Sequence, residues 1–348
     1  MPPEQIRLTV RGKVNLGLSI LGKRPDGYHD IESVAVLVGL ADVMVVRPLQ
    51  RGIRICCPGI PGPPEENLAW RAGCAALKLF PGLPGLDIRI DKGIPVGGGM
   101  GGASADAAAV LRAASMLQEG PGQIKTLYSV ARSLGADVPM FLLEQTAGGT
   151  TAFLLQERGD EVTPLRLGLS HGLHLVLVVM NFPVSTAWAY VQWDEMVRDG
   201  HYRSRKEATP APVRERVDTP PPAVEDSRVK TLLLAMRDGD INAIASSLFN
   251  DLEEPVFRSF PVLGQAKAVL RRAGALGAVM TGSGSTIIGV VSDLTHGTEV
   301  CREFRRLWTE ERSFGSEKSS LSVGQPGVSE LVLVDTNRVL GRWKFHES

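Results

Sequence analysis

Alternation of apolar and polar residues predicts β-strands through much of the first half of the chain. IRLTVRGKVNLGLSILGK alternates with a period of two and ends before the turn signal Pro25-Asp26-Gly27. The following run, IESVAVLVGLADVMVVRPL, predicts two strands with a break between Gly39 and Asp42. Further strands are predicted in GIRICCPG, GLDIRIDKGIP, TTAFLL and HLVLVVM.

A helical spacing of apolar residues separates these strands and dominates the second half. ENLAWRAGCAALKLF has this spacing, and IKTLYSVARSLGADVPMFL predicts a helix that stops at Gly135. Ala107, Val110, Leu111 and Ala114 give a similar stripe. Further helices are predicted in VKTLLLAMRDG, INAIASSLFNDLE, VLGQAKAVLRRAG and EVCREFRRLWTEE. AVMTGSGSTIIGVVS predicts strand, glycine turn and strand, and ELVLVD a last strand.

Strands and helices therefore mix without regular alternation, which predicts the α+β class rather than a doubly wound parallel sheet. A chain of 348 residues is long enough for two domains. Residues 203–227 are rich in proline and charge and have almost no large apolar side chains, so they predict a linker or a poorly ordered loop.

Composition excludes few functions, but it limits the kinds of partner that the protein is expected to bind. Lys plus Arg and Asp plus Glu both number 38, so net charge favours neither nucleic acid nor an anionic membrane. The longest apolar run, LVLVVM, is far below the roughly 20 residues of a membrane helix. Four cysteines (Cys56, Cys57, Cys74, Cys301) lack metal-site spacing and predict free thiols. We expect a cytoplasmic protein.

The most informative stretch is GIPVGGGMGGASADAAAVL, in which five glycines fall within residues 97–102. It matches G-x-G-x-x-G, but the surroundings lack the second strand and acidic residue of a dinucleotide fold, and no lysine follows as in a Walker A loop. What remains is a set of exposed backbone amides at the start of a helix, which is suited to phosphate. Ser104 would bind phosphate or magnesium, or would simply cap the helix. The turn MTGSGS, residues 280–285, is either a hairpin or a second contact to the same phosphates.

Two charged residues are candidates for chemistry at such a site. Lys13 interrupts an apolar strand, so it either faces solvent or is buried beside an anion, and Asn15 shares its strand face. Asp137 lies in a turn and is either a turn former or a carboxylate that takes a proton from the acceptor. These residues predict an anion-binding α+β enzyme whose acceptor stays open.

Three motifs, in the same order, resemble those of the GHMP kinases (galactokinase, homoserine, mevalonate and phosphomevalonate kinases). They are RGKVNLGLSILGKRPDGYHDIESV, IPVGGGMGGASADAAAVL and AVMTGSGSTIIGVV, and the resemblance extends over residues 7–334. It implies an N-terminal domain, residues 1–165, like the second domain of ribosomal protein S5. A ferredoxin-like C-terminal domain, residues 166–348, would follow, with ATP and Mg²⁺ as cofactors. GKRPDGYH is most similar to the branch that phosphorylates the 2-hydroxyl of a cytidine diphosphate-linked methylerythritol in isoprenoid precursor biosynthesis.

The resemblance also implies roles for individual residues. Asp137 would be the catalytic base, with Lys13 beside it. Tyr28 and His29 would bind the cytidine, and Asn15 and Thr186 would hold the rest of the substrate. The ATP site would comprise Asn67, Pro95, Gly97, Gly98, Gly99, Gly101, Gly102, Ala103, Ser104, Gly282, Ser283 and Gly284, with Ser104 as the candidate magnesium ligand.

The chain departs from the family pattern at four places. Arg11-Gly12 replaces the usual Pro-Ala, Ala103 replaces a glycine, residues 203–227 form a long insertion, and the tail after Asp335 is extra. Two alternatives stay open. One is another GHMP small-molecule kinase, acting on homoserine or a mevalonate-type alcohol, and the other is a nucleotide-binding protein of this fold without catalysis. The sequence predicts no oligomeric state.

Overall fold

The computed structural model describes residues 3–60, 62–118, 124–144, 151–170, 172–200, 224–315, 327–336 and 338–345. In these ranges the strands are β1 (Ile6–Lys23), β2 (His29–Pro48), β3 (Gly52–Cys56), β4 (Gly85–Asp91), β5 (Ala152–Glu157), β6 (Glu161–Leu165), β7 (His174–Met180), β8 (Phe249–Asn250), β9 (Gly277–Met280), β10 (Ile287–Val291), β11 (Val328–Val334) and β12 (Val339–Lys344). The helices are α1 (Leu68–Leu79), α2 (Gly102–Leu117), α3 (Ile124–Leu134), α4 (Val138–Glu144), α5 (Thr186–Arg198), α6 (Ser227–Asp238), α7 (Ile241–Ser246), α8 (Glu253–Ser259), α9 (Pro261–Arg272) and α10 (Leu294–Gly315). The linker predicted at 203–227 lies almost wholly outside the described residues.

The strands form two largely antiparallel sheets. The first has the order β3-β4-β2-β1-β8, and β5 pairs with both β2 and β6. Among the described strands of this sheet, β3–β4 and β1–β8 pair in parallel and the others pair antiparallel. The second sheet, β12-β11-β7-β10-β9, is antiparallel throughout. The sequence prediction of an α+β fold is confirmed.

The two sheets share a buried core, which explains why their central strands read as continuous apolar runs. Leu175 and Leu177 of β7 belong to the same buried cluster as Val14 and Leu16 of β1. The alternate residues of β7 face a second cluster that includes α9 and α10. Because both faces of β7 are buried, it carries no polar alternation. The boundary between residues 165 and 166 falls between β6 and β7, and the domain division stays a prediction.

The predicted break near Gly39 is a bulge in one strand rather than an end. Arg11 pairs with Ala41, but the next residue, Gly12, pairs with Val38, so two residues of β2 are looped out of register. A Cβ on Gly39 would lie 2.1 Å from the backbone of Arg338. The glycine is therefore required by the close approach of the C-terminal tail.

The single helix predicted in INAIASSLFNDLE is wrong. The chain instead forms α7, the short strand β8 and α8. Phe249 of β8 pairs with Gly17 of β1, where a Cβ would lie 2.8 Å from the Phe249 ring. Sheet pairing against a glycine thus overrides the local helical pattern. The predicted stop at Gly135 is confirmed, and α4 follows as a separate helix.

A buried polar network joins β1 to the start of α6. Asp226 accepts hydrogen bonds from the Ser19 hydroxyl (2.5 Å), the Arg228 backbone nitrogen (2.8 Å) and the Arg228 guanidinium (2.9 Å). Arg228 also pairs with Asp251 at 2.8 Å. Burial opposes ionisation of Asp226, but the hydrogen bonds from Arg228 and Ser19 outweigh it and lower the pKa to about 2. The charged form of Asp226 is therefore stabilised by folding.

Asp226→Asn is expected to remove a stabilisation that depends on pH. Because the folded pKa is depressed, this contribution is full above the unfolded pKa, near 4, and disappears as the pH falls towards 2. At pH 7 the electrostatic contribution of Asp226, which the variant lacks, should add about 2 kcal/mol to the free energy of unfolding of the wild type. Urea unfolding at several pH values from 7 down to 3 should show this difference shrinking as the pH falls. A difference that stays constant over this range would contradict the network's electrostatic role.

Candidate active site

The glycine loop, residues 97–102, connects the segment after β4 to the first turn of α2. Gly97, Gly99 and Gly101 have φ of 70°, 76° and 70°, a region that favours glycine. Gly101 is the N-cap of α2, and the first helical hydrogen bond runs from Ala105 N to Gly101 O. The amides of residues 102–104 therefore have no acceptor within the helix. This end of α2 has the donors and the dipole direction that bind an anion.

The glycine loop lies directly on the glycine turn, residues 280–285. A Cβ on Gly99 would lie 2.4 Å from the carbonyl oxygen of Thr281 and 2.8 Å from that of Gly284. A Cβ on Gly98 would lie 2.9 Å from the Thr286 hydroxyl. These two glycines are therefore needed for contact between the loops as well as for backbone angles. The structure brings together the two glycine segments that the sequence singles out.

Lys13 is buried beside the glycine loop. Its side chain is only 6% exposed, and its backbone nitrogen donates to the carbonyl oxygen of Met100 at 3.0 Å. The ammonium donates to Asn15 Oδ1 at 2.6 Å and lies 3.7 Å from Asp137 Oδ2. The sequence left open whether Lys13 faces solvent. In the structure it is buried and lies next to a carboxylate.

Asn15 uses both ends of its side-chain amide. Its Oδ1 accepts from Lys13, and its Nδ2 donates to the Ser33 hydroxyl at 2.7 Å. Its backbone nitrogen donates to the Thr281 hydroxyl at 2.9 Å, which ties β1 to the glycine turn. Asn15 therefore fixes the position of the Lys13 ammonium.

Asp137 lies between α3 and α4, and a third of its side chain is exposed. Burial raises the pKa of the Tyr190 phenol, and the negative charge of Asp137 raises it further. Asp137 faces the buried Lys13 on one side and solvent on the other, a position that a substrate hydroxyl can reach.

His29 is held on three sides by α5. Its Nε2 lies 2.7 Å from Asp194 Oδ1. Its ring stacks on Tyr190 with the ring centres 4.8 Å apart, and it is nearly perpendicular to the Trp193 ring, with the centres 5.5 Å apart. Partial burial opposes ionisation of Asp194, but hydrogen bonds from Lys23 and His29 lower its pKa. Sequence analysis missed these three residues. Their i, i+3, i+4 spacing in TAWAYVQWDE was the available signal.

Tyr28 is 56% exposed, and the Arg158 guanidinium lies 5.0 Å from the centre of its ring. Thr186, the first residue of α5, lies 2.9 Å from the Ser283 hydroxyl of the glycine turn, oxygen to oxygen. A further residue that sequence analysis missed, Asn250, donates to the carbonyl oxygens of Met280 and Gly282, both at 2.7 Å. The turn is therefore shaped by buried side chains from β8 and contacted by α5.

Asn67, Pro95 and Ala103 are the other residues predicted to bind the nucleotide. Asn67 is the N-cap of α1, and its Oδ1 accepts from Ala69 N at 2.9 Å, so its amide nitrogen is the group that we expect to serve a nucleotide. Pro95 is half-buried just before the glycine loop, and Ala103 is exposed. Arg11, which departs from the family pattern, pairs with Glu144 and donates to the carbonyl oxygen of Thr336. That departure leaves Lys13 in contact with the loop.

Among the described residues, no three His, Cys, Asp or Glu side chains cluster as metal ligands. Ser104 is not the N-cap of α2. That position is Gly101, so no side chain caps this end of the helix. The capping role that the sequence left open for Ser104 is therefore excluded.

A cavity of about 380 Å³ lies at the other end of the glycine loop. Residues 92–96 line it together with Phe182, Pro183, Glu330 and Arg342. Neither Lys13 nor Asp137 lines this cavity. It is therefore distinct from the position where the lysine and the carboxylate meet.

No helix among the described residues is long and apolar enough to cross a membrane.

Comparison with known proteins agrees with this arrangement. Residues 67–145 match the GHMP kinases N terminal domain, and residues 232–310 match the GHMP kinases C terminal family. The solved structure of a 4-(cytidine 5'-diphospho)-2C-methyl-D-erythritol kinase superposes with a TM-score of 0.67 at 28% identity, covering 95% of this chain and 99% of that one. Homoserine kinase from Cytophaga hutchinsonii shares the fold, with a TM-score of 0.61 at 17% identity and 94% and 98% coverage.

Sequence similarity is more specific than the fold. The 4-diphosphocytidyl-2-C-methyl-D-erythritol kinase of Citrifermentans bemidjiense is 36% identical over 290 residues, which cover 82% of this chain and 90% of that protein. That level of identity over nearly a whole chain exceeds what a shared fold alone gives. The chain therefore belongs to the GHMP kinase family, in the group of the 4-diphosphocytidyl-2-C-methyl-D-erythritol kinases.

Proposed function

We propose that this protein transfers the γ-phosphoryl group of ATP to the 2-hydroxyl of 4-diphosphocytidyl-2-C-methyl-D-erythritol. The observation that carries the proposal is the buried Lys13 ammonium, 3.7 Å from Asp137 and directly beside the glycine loop. This arrangement places a cation and a proton acceptor where a γ-phosphate and an alcohol would meet. Phosphoryl transfer needs little more than such positioning and charge compensation.

In the proposed mechanism, Asp137 accepts the proton of the substrate's tertiary hydroxyl. The resulting oxygen nucleophile forms a bond to the γ-phosphorus, the bond from phosphorus to the β,γ-bridging oxygen breaks, and ADP leaves with that electron pair. The Lys13 ammonium, 3.7 Å from Asp137, offsets negative charge on the transferring group. Asn15 holds the ammonium at 2.6 Å, so its position is fixed before substrate binds.

The amides of residues 102–104, together with Gly97 to Gly101, would hold the ATP phosphates. Gly282, Ser283 and Gly284 would bound the same site from the glycine turn, and Asn67 would contact the nucleotide through its amide nitrogen. Magnesium, held by phosphate oxygens with Ser104 as the protein ligand, would neutralise part of the phosphate charge. ATP is a cytoplasmic substrate, so we place the reaction in the cytoplasm.

Tyr28 and His29 would bind the cytidine. The exposed Tyr28 ring offers a face for cytosine. Because Nε2 of His29 is engaged by Asp194, Nδ1 and the backbone of His29 are the groups that would read the edge of the base. Thr186 would contact the substrate beside the glycine turn. The held orientation of His29 favours a cytidine substrate over homoserine or mevalonate, which offer no base to recognise.

Tyr28→Ala is expected to raise KM for the cytidine substrate about tenfold, the effect of losing one base–aromatic stack. KM for ATP should change less than twofold. Tyr28→Phe is the matched control, because it keeps the ring and should keep the wild-type KM. Steady-state kinetics on the three proteins measure both constants. An unchanged KM for the cytidine substrate in Tyr28→Ala would contradict stacking.

A coupled ADP-release assay across a panel of alcohols tests the substrate assignment. ADP should form with the cytidine substrate and not with homoserine or mevalonate. Turnover of homoserine or mevalonate without turnover of the cytidine substrate would identify another GHMP kinase. A protein that binds ATP but releases no ADP with any alcohol would favour the non-catalytic alternative. The presence of Lys13 and Asp137 and their proximity argue against that alternative.

A further inference from the structure

Two buried carboxylates and a half-buried lysine lie beneath the glycine loop, and neither the proposed mechanism nor the family motifs assign them a role. Lys92 follows β4, Asp42 lies on β2, and Asp106 lies in the second turn of α2. The Lys92 ammonium donates to Asp42 Oδ2 and, at 2.9 Å, to Asp106 Oδ2. Asp42 is fully buried, and the side chains of Lys92 and Asp106 are only 14% and 6% exposed. We name these three residues the Lys92 clamp.

One carboxylate fixes the segment that leads into the loop. Asp42 Oδ1 accepts hydrogen bonds from the backbone nitrogens of Gly93, at 2.7 Å, and Ile94, at 2.8 Å. A Cβ on Gly93 would lie 2.2 Å from the carbonyl oxygen of Ala41, so the segment lies against β2. The chain immediately before the glycine loop is therefore attached to the sheet through Asp42.

Lys92 connects this attachment to the other end of the loop. Its second partner, Asp106, lies four residues after Gly102, where the loop becomes α2. The ammonium is also 3.3 Å from where a Cβ on Gly102 would lie, directly below the first helical residue. The Lys92 clamp thus closes the base of the loop by holding its two ends to one another.

We propose that Lys92 is a positioning residue that preorganises the glycine loop for a nucleotide triphosphate. The loop contains five glycines, whose backbone is the least restrained of any residue, and binding must fix it. With both ends held, the amides of residues 97–104 face the phosphates before ATP arrives, so binding pays less ordering entropy. Lys92 contacts neither substrate in this scheme. The identity of the ligand as ATP rests on the proposed function.

The test compares Lys92→Met, Lys92→Arg and the wild type by calorimetric titration with a non-hydrolysable ATP analogue and Mg²⁺, without acceptor. The titrations are run at one pH and one ionic strength for all three proteins. Lys92→Met should raise Kd about tenfold, and Lys92→Arg should restore it to within about threefold. In turnover, KM for ATP should rise in parallel, while KM for the acceptor and kcat should change less than threefold. Hydrogen exchange of the loop amides should accelerate in Lys92→Met.

Asp106→Leu guards against a Lys92→Met protein that fails to fold. It leaves Lys92 paired with Asp42 and so leaves no buried charge unbalanced, but it releases the helix end of the loop. The clamp predicts a higher Kd for the ATP analogue. If the carboxylate acted only through its charge, removing it would leave binding unchanged or tighter, and that result would overturn the proposal.

Val46→Ala is the matched stability control. It removes buried apolar volume from the same strand as Asp42 and should lower the melting temperature without altering Kd for the analogue. If Kd for the analogue rises as much in Val46→Ala as in Lys92→Met, the effect of Lys92 on binding comes from general stability, and the positioning role is contradicted. The titration needs no acceptor. If Kd for the analogue rises in Lys92→Met and Asp106→Leu but the wild type does not turn over the cytidine substrate, only the proposed function is refuted. If the wild type turns over that substrate but Kd is unchanged in Lys92→Met and Asp106→Leu, only the clamp is refuted.

Discussion

Asp137→Asn is expected to lower kcat by about 100- to 10,000-fold, the range for loss of a general base. Asparagine keeps the size of the side chain but cannot accept the hydroxyl proton. Because a third of the carboxylate is exposed and it makes only a 3.7 Å ion pair with Lys13, the fold should be retained. Kd for ATP, measured by titration without acceptor, should stay within about twofold. The reaction is followed by ADP release.

Asp199→Asn is the control for this substitution. It changes an exposed carboxylate that pairs with Arg198 and should leave kcat unaltered. An Asp137→Asn protein that retains more than about a tenth of wild-type kcat would contradict the role of Asp137 as base. Loss of ATP binding along with turnover would instead indicate that the substitution disturbs the nucleotide site.

Lys13→Met is expected to lower kcat by about 100- to 1,000-fold through loss of the cation at the transferring group. Asn15 Oδ1 then loses its buried donor, so some loss of thermal stability should accompany the loss of rate. The variant combined with Asp137→Asn should be little slower than either single variant, because two groups that act on one transition state are not additive. Single-turnover measurements separate the chemical step from substrate binding.

Lys78→Met provides the comparison for Lys13→Met. Lys78 is an exposed lysine near the end of α1, and its loss should leave kcat and stability unaltered. If Lys13→Met and Asp137→Asn instead multiplied their separate effects in the double variant, the two residues would act at different steps. A Lys13→Met protein with wild-type kcat would remove the lysine from the mechanism altogether.

The parts of the site that lie on one stretch of chain could be predicted from the sequence. The glycine loop is visible because five glycines before a helix are unusual, and Lys13 because a lysine within an apolar strand needs an explanation. Contacts between distant segments carried no such signal. The sequence pattern of Lys92, between a strand and a loop, is that of an ordinary surface lysine, and only the pairing of β2 with β4 brings Asp42 to it. Asn250 and Asp194 were missed for the same reason.

Some elements were missed because their local patterns are weak. The strand β6 contains Pro164 and is nowhere fully buried, and β12 is an edge strand that is largely solvent-facing. Neither shows the clear apolar alternation on which strand prediction depends. The tail after Asp335, which is extra relative to the family pattern, supplies β12 and packs its start against Gly39 of β2. Such packing depends on tertiary contacts rather than on local pattern.

A crystal structure with a non-hydrolysable ATP analogue, Mg²⁺ and 4-diphosphocytidyl-2-C-methyl-D-erythritol tests the central claim most directly. We expect the β- and γ-phosphates on the amides between Gly97 and Ser104. The 2-hydroxyl should lie within hydrogen-bond distance of Asp137, in line with the γ-phosphorus and beside the Lys13 ammonium. A triphosphate bound elsewhere, or an acceptor hydroxyl that neither Lys13 nor Asp137 can reach, would contradict the account.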